Sequence, residues 1–145
     1  MKHFLKQSVV ITFLLLVAGC NKSSDDLSSL VDLYLPDFSN QWTEVKGADL
    51  NSFFFINSTV TDSSKATGTL EGEEENGTDN FKLKGTFQSI NVKLQYLTNA
   101  ENGGNDNGPH AGFSYSGKVD TLAKPILLRL VNVNDKNDSL VMRHG

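Results

Sequence analysis

From about residue 40 to the end of the chain, apolar and polar residues alternate with a period of two. The alternation is strictest over residues 81–87, 90–96 and 113–119, where every second residue is apolar or glycine. This pattern is typical of antiparallel strands with one buried and one solvent-facing side, whereas a buried parallel sheet gives continuous apolar runs. The chain is therefore expected to form an antiparallel all-β domain.

Further segments have the composition of strands, and turn-forming Asn, Asp, Gly and Ser residues separate them. They cover residues 41–46, 52–60, 65–71, 125–133 and 139–144. Seven or eight strands at this spacing predict a meander, most simply a small β-barrel, with a β-sandwich as the alternative. Glycines within strands, at Gly68, Gly85 and Gly117, favour the barrel because glycine accommodates curvature. The segment 125–133 is nearly all apolar, which predicts a strand buried on both faces or near the closure.

The segments 81–87 and 90–96 agree in phase, as the two strands of a hairpin must. A two-residue loop at Gln88-Ser89 would place Phe87 opposite Ile90, and it would also place two lysines of the outer face opposite each other. A four-residue loop would keep the same phase. The residues predicted to face the interior are Leu83, Phe87, Val92, Leu94, Phe113 and Tyr115.

Residues 1–19 follow a different pattern. A mostly apolar run at residues 9–17 follows a positively charged start that contains Lys2 and Lys6. As a helix this run would span about 14 Å, too short for the hydrocarbon core of a bilayer, which is about 30 Å thick. A charged start, a short apolar run and small residues are the layout of a secretory signal peptide.

The apolar run leads into the chain's single cysteine through the tetrapeptide Val17-Ala18-Gly19-Cys20. This tetrapeptide resembles the lipobox of the bacterial lipoprotein family, at the place where that motif follows the apolar run. The resemblance implies diacylation of the Cys20 sulfur, cleavage before Cys20 and acylation of the new amino group. Three acyl chains exceed the two signals that stable membrane anchoring needs. The alternative is an ordinary signal peptide followed by a coincidental cysteine.

With residues 1–19 removed, residues 20–39 are expected to be a lipidated tether and residues 40–145 the β-domain. Apolar residues at helical spacing over 26–35 predict a short helix, with an irregular or extended lead-in as the alternative. In many lipoproteins an aspartate after the lipidated cysteine signals inner-membrane retention. This chain has Asn21 instead, so the resemblance implies delivery to the outer membrane. Residues 23–26 are similar to an acidic export signal of surface-exposed lipoproteins, or they form a generic linker.

The net charge of the chain limits the classes of partner that it is expected to bind. Removal of residues 1–19 takes away Lys2 and Lys6 and no acid, so the formal net charge moves from −4 to −6. That balance disfavours nucleic acid and anionic lipid as partners. The remaining histidines are His110 and His144, and the sequence contains neither a nucleophile elbow nor a zinc-protease motif. We therefore expect neither an enzyme nor a cofactor-binding protein.

Three features of the sequence contain residue types found in ligand sites. The acidic segment 71–79 is expected to be a solvated hairpin end rather than a calcium site, because adjacent glutamates on an extended chain point apart. The segment 102–109 is expected to be a long flexible loop. Arg129 lies in the apolar segment 125–133, where it is expected to point outward; facing the interior of a barrel, it would bind an anionic ligand.

The β-domain is loosely similar to the small calycin barrels, of the lipocalin and avidin type. Trp42 lies where such barrels carry an early tryptophan, but Gln41 precedes it and the expected Gly-x-Trp is absent. Such a resemblance implies a fold and no function. The sequence predicts a lipid-anchored, non-enzymatic binding module of the cell envelope, whose partner is an unknown envelope protein or a small ligand. The alternative is a carrier of a small hydrophobic ligand, which requires an interior pocket above about 300 Å³.

Overall fold

The computed structural model describes residues 35–47 and 52–145. Cys20, the signal peptide and nearly all of the segment predicted as a helix lie outside the described residues. The described part contains eight strands: β1 Gln41–Lys46, β2 Phe53–Asp62, β3 Thr67–Asn76, β4 Asp79–Gln88, β5 Asn91–Tyr96, β6 Ser114–Asp120, β7 Leu127–Asn132 and β8 Ser139–His144.

Each strand pairs with the next one along the chain, and β8 pairs with β1, so the sheet closes as an antiparallel meander barrel. This confirms the predicted all-β class and the small calycin-like barrel, and the β-sandwich alternative is wrong. The closed sheet matches the alternation of the sequence. Every strand carries one apolar side, and an eight-stranded barrel is just wide enough for those side chains to fill its interior.

Buried apolar side chains from all eight strands form one core. Phe38, which precedes β1 in the segment assigned to the tether, belongs to it and is fully buried. Its ring centroid lies 6.2 Å from that of Trp42 and 5.6 Å from that of Phe87. The other core residues are Phe54, Ile56, Leu70, Leu83, Val92, Leu94, Tyr96, Tyr115, Val119, Leu128, Leu130, Leu140 and Met142.

The residue two positions before Trp42 is an asparagine, where the Gly-x-Trp of small calycin barrels has a glycine. This residue, Asn40, has a φ of 72°. That is the left-handed region, which asparagine tolerates better than other residues with a side chain. Asn40 therefore makes the same backbone bend that a glycine would.

The hairpin of β4 and β5 exists, but its register differs by two residues from the one predicted for a two-residue loop. Phe87 pairs with Val92 and Gln88 with Asn91, so Ser89 and Ile90 form the turn. The turn thus has two residues, but it lies one residue later than the predicted Gln88-Ser89, and the register equals that of a four-residue loop over residues 88–91. Ser89 takes a positive φ of 51°, and its N–H donates to the Ala66 carbonyl at 2.8 Å.

Two predictions about burial are wrong. Phe113 precedes β6 and is 39 % exposed, so it does not line the interior. The segment 125–133 is not buried on both faces, because β7 alternates and its outward Val131 is 38 % exposed. Apolar residues on the outer side of β7 made the alternation invisible in the sequence.

Gly117 marks a close approach between two strands. A Cβ atom at this position would lie 1.8 Å from the carbonyl oxygen of Arg129 on β7. Only a residue without a side chain lets β6 and β7 pair here, which gives the predicted strand glycine a specific reason.

Candidate functional site

Polar side chains occupy the interior at one end of the barrel, which we call the polar end. Glu44 on β1, Glu74 on β3 and Asn132 on β7 point inward, and they are 4 %, 2 % and 5 % exposed. Each continues the inward phase of its strand, as Glu74 does after Leu70. Their polarity suggests solvent-facing positions in the sequence, although the phase of each strand places them inward.

Tyrosine hydroxyls bind the acids of the polar end. The Tyr96 hydroxyl donates to Oε2 of Glu74. The Tyr115 hydroxyl donates to Oδ2 of Asp138 at 2.8 Å, and Nδ2 of Asn132 donates to the same oxygen at 2.8 Å. Burial, followed by the charge of Glu74, raises the pKa of Tyr96 far above its ordinary range. Burial and the hydrogen bond to Asp138 raise the pKa of Tyr115 in the same direction.

Glu44 is held where the chain leaves β1. Its backbone N–H donates to the Ser52 carbonyl at 3.0 Å. A Cβ atom at Gly47 would lie 1.7 Å from Oε1 of Glu44, so a side chain at this position would displace the buried carboxylate. The negative charge of Glu44 also contributes to the raised pKa of Tyr96.

These side chains enclose a cavity of about 10 Å³. A cavity of this size has room for about one water molecule. Its lining contains three carboxylates and neither lysine nor arginine, and it consists of Glu44, Gly47, Glu74, Tyr96, His110, Tyr115, Asp138, Ser139 and Leu140. Within residues 35–47 and 52–145, no group of three or more His, Cys, Asp and Glu side chains is arranged to hold a metal ion. The cavity has room for a water molecule and is too small for an organic substrate.

A long connection between β5 and β6 covers the polar end. His110 packs edge-on against the Tyr96 ring, with centroids 5.5 Å apart. Asn107 is fully buried and bonds to both backbone groups of Lys82, at 2.7 and 3.0 Å, as a neighbouring strand would. The connection is long, as predicted, but these bonds hold it against β4, which the sequence did not indicate.

A surface ion pair adds to this attachment. Lys84 Nζ pairs with Oε1 of Glu101 in the same connection. The hydrogen bond from Lys84 lowers the pKa of Glu101 to about 2, with further bonds from Thr98. The second histidine, His144, does not line this cavity and packs against Trp42 with ring centroids 4.6 Å apart.

The acidic segment 71–79 is a hairpin, as expected, with Gly77 in its turn. Its glutamates alternate between the two sides of β3. Glu73 on the outer side pairs with Lys82, whereas Glu74 on the inner side belongs to the polar end. The expectation of a wholly solvated segment is therefore wrong for Glu74.

Arg129 points outward, and its Nε donates to Oδ2 of Asp120 at 3.1 Å. The main expectation for this residue is confirmed, and the alternative of an anion site inside the barrel is wrong.

The outer surface carries the larger concavity. A groove of about 700 Å³ crosses the outer faces of β3 to β6. Its outward side chains are mostly short and polar, and they include Thr69, Thr86, Lys93, Gln95, Ser114 and Ser116. In volume this groove is within the range of small-molecule and peptide sites.

Comparisons with known proteins add no relationship to this geometry. In the described part of the chain, no helix has the length and apolar character needed to cross a membrane. No protein-family model, no curated protein and no solved structure matches the chain.

Proposed function

We propose that this protein is a lipid-anchored lipoprotein of the bacterial cell envelope that acts as a non-enzymatic binding module. Cys20 carries the lipid, the outer membrane is the site of attachment, and the barrel presents its outer surface to a partner. The lipobox-like tetrapeptide before Cys20 supports the anchor. The filled interior supports binding on the outside.

The packing of the interior is the observation that carries this proposal. Sixteen buried side chains form the core, and the cavity at the polar end measures about 10 Å³. A carrier of the calycin type needs a pocket of at least about 300 Å³. The groove across β3 to β6 is about 700 Å³ and lies on the outside. The geometry therefore favours a surface-binding module over a carrier with an internal ligand.

The anchor is tested by changing Cys20 to Ala in the host. The wild-type chain is expected to fractionate with membranes and to incorporate labelled palmitate. The variant is expected to lose the label and to retain its leader. Unchanged processing together with membrane fractionation of the variant would show that Cys20 is not the lipid site.

The binding surface is tested by photo-crosslinking in the full-length, membrane-attached protein. A crosslinking amino acid at Gln95, within the groove, is expected to give a defined adduct. The same amino acid at Lys136, in the exposed β7–β8 connection, serves as the control. Equal adducts at both positions, or none at Gln95 together with no bound ligand in native mass spectrometry, would contradict the proposed surface.

A further inference from the structure

The outer faces of β6, β7, β8 and β1 carry a group of cations that the net charge of the chain conceals. We infer that this group, consisting of Lys46, Lys118, Arg129 and Arg143 and called here the cationic face, docks onto the anionic phosphate headgroups of a membrane. The membrane is the one that bears the lipid of Cys20, so the inference rests on the proposed anchoring.

Strand register places these cations together. Lys118 lies directly opposite Arg129, Arg129 opposite Val141, and Val141 opposite Lys46. Arg143 lies two residues beyond Val141 on the same side of β8. Cβ atoms directly opposite on neighbouring strands are about 5 Å apart, and diagonal neighbours are about 7–8 Å apart. Lys46, Arg129 and Arg143 therefore surround the nearly buried Val141, and Lys118 lies one strand further along, beside Arg129.

The charge of this face contrasts with that of the strands β3 and β4. There, register pairs opposite charges, with Glu71 opposite Lys84 and Glu73 opposite Lys82. On the cationic face, Lys118 and Arg129 are like charges in direct opposition, an arrangement that destabilises a sheet. A sheet that matches charges on one side and opposes like charges on the other indicates an anionic partner for the second side.

Few acids offset the cationic face. Asp120 is the single acid on the outward positions of β6, β7, β8 and β1, and it binds Arg129. Within the described part of the chain, Lys46, Lys118 and Arg143 have no acidic group in ion-pair contact. The outward positions of these four strands therefore carry an excess of positive charge in a chain that is acidic as a whole.

The described residues that precede β1 lie beside one strand of the cationic face, β8. At the end of β8, His144 Nε2 and the Ser39 carbonyl oxygen are 2.7 Å apart and the Gly145 N–H donates to the Gln41 carbonyl at 2.8 Å. The 14 residues between Cys20 and Leu35 span at most about 50 Å when fully extended. An anchored barrel thus stays within reach of the bilayer, and the chain that tethers it enters next to the cationic face.

The small number of cations favours a membrane over a soluble polyanion as the partner. Each Lys or Arg contributes modestly at an anionic bilayer surface, and the attraction falls off within a Debye length. Four cations on an acidic protein would bind a free polyanion weakly. Anchoring raises the local concentration of headgroups, so the same four cations suffice to orient the barrel.

The test uses the mature chain, residues 20–145, which contains every strand and core residue of the barrel. Its single cysteine, Cys20, is coupled to a maleimide lipid in vesicles, which supplies an anchor whether or not the host lipidates this residue. Acetylation rates of individual lysines are then measured by mass spectrometry in vesicles of an anionic and of a neutral phospholipid. Failure of the docking inference is thereby separated from failure of the lipoprotein proposal.

We expect acetylation of Lys46 and Lys118 to be slowed about fivefold in anionic vesicles relative to neutral ones, and the protection to be lost in high salt. Lys82 and Lys84, which are paired on the other side of the barrel, are the internal controls and should react equally in both. Arg143→Glu should abolish the protection, whereas Lys84→Glu should preserve it. The inference would be overturned if each of the four lysines reacted at the same rate in anionic and in neutral vesicles. It would also be overturned if inorganic phosphate with neutral vesicles gave the same protection.

Discussion

The hydroxyl of Tyr96 on β5 donates a hydrogen bond to Oε2 of Glu74 on β3, across the intervening strand β4. Both residues are 2 % exposed. A carboxylate in so buried a position needs a donor, because leaving a charged group without one is strongly unfavourable. This bond therefore connects two strands that are not neighbours in the sheet, and it organises the polar end of the barrel.

Removing the hydroxyl should destabilise the barrel. Tyr96→Phe is expected to lower the free energy of unfolding by about 1.5–3 kcal/mol, the range for hydrogen bonds to charged groups. In a Glu74→Gln background the same change should cost about 1 kcal/mol, because the acceptor is then neutral. Urea unfolding followed by the fluorescence of Trp42, the chain's single tryptophan, measures both values. An equal loss in the two backgrounds would show that the bond does not involve a charged Glu74.

The raised pKa values of Tyr96 and Tyr115 predict a response to alkali. An acid whose pKa is raised in the folded state stabilises that state fully below its unfolded pKa. That stability is lost as the pH rises above about 10, the pKa of tyrosine in an unfolded chain. In a Tyr34→Phe variant, which leaves only these two tyrosines, phenolate absorbance should therefore appear together with the loss of the folded Trp42 signal. Phenolate absorbance at pH values where the barrel is still folded would contradict the buried positions of the two rings.

Gly117 should not tolerate a side chain. Gly117→Ala places a methyl group against the carbonyl oxygen of Arg129, at a separation of 1.8 Å without adjustment. Since β6 and β7 must separate locally, we expect a loss of about 1–3 kcal/mol, as for other overpacked sites. The neighbouring Ser116→Ala, on the exposed outer face, should remain within about 0.5 kcal/mol of the wild type. Similar stabilities of the two variants would mean that the strands do not approach as described.

A substitution of Phe38 tests where the folded domain begins. Its side chain is fully buried against Trp42 and Phe87, so Phe38→Ala should destabilise the barrel by about 3–5 kcal/mol. Leu35→Ala is the matched control, because Leu35 is 44 % exposed and its loss should have a much smaller effect. If both variants unfold at the same urea concentration as the wild type, residues before β1 do not contribute to the core.

The alternation of the sequence predicted the all-β class and a segment for each of the eight strands, because each strand buries one side in the interior. The preference for a closed barrel over a sandwich came from the glycines within strands. β1 and β8 were predicted with the bounds that the structure shows. The alternation did not determine the register of the β4–β5 hairpin, because a two-residue loop and a four-residue loop both keep Phe87 inward. In the observed register Lys93 lies opposite Thr86 and Lys84 opposite Gln95. The two lysines therefore do not face each other, as they would with a loop at Gln88-Ser89.

The polar end and the cationic face could be recognised only from the structure. Glu44 and Glu74 obey the phase of their strands, but a pattern based on polarity assigns them to solvent. Asn107 is fully buried through bonds to the backbone of β4, and such long-range contacts leave no local signal. The pairing of Lys118 with Arg129 depends on register, which composition and net charge do not contain.

The central claim is that this barrel is held to a membrane by lipid on Cys20. Its most direct test is the intact mass, with N-terminal peptide sequencing, of the mature protein purified in detergent from its host. We predict a chain that begins at Cys20 and carries a diacylglyceryl thioether together with an N-acyl group. A mature chain that begins at another residue, or one whose Cys20 has an unmodified thiol, would contradict it.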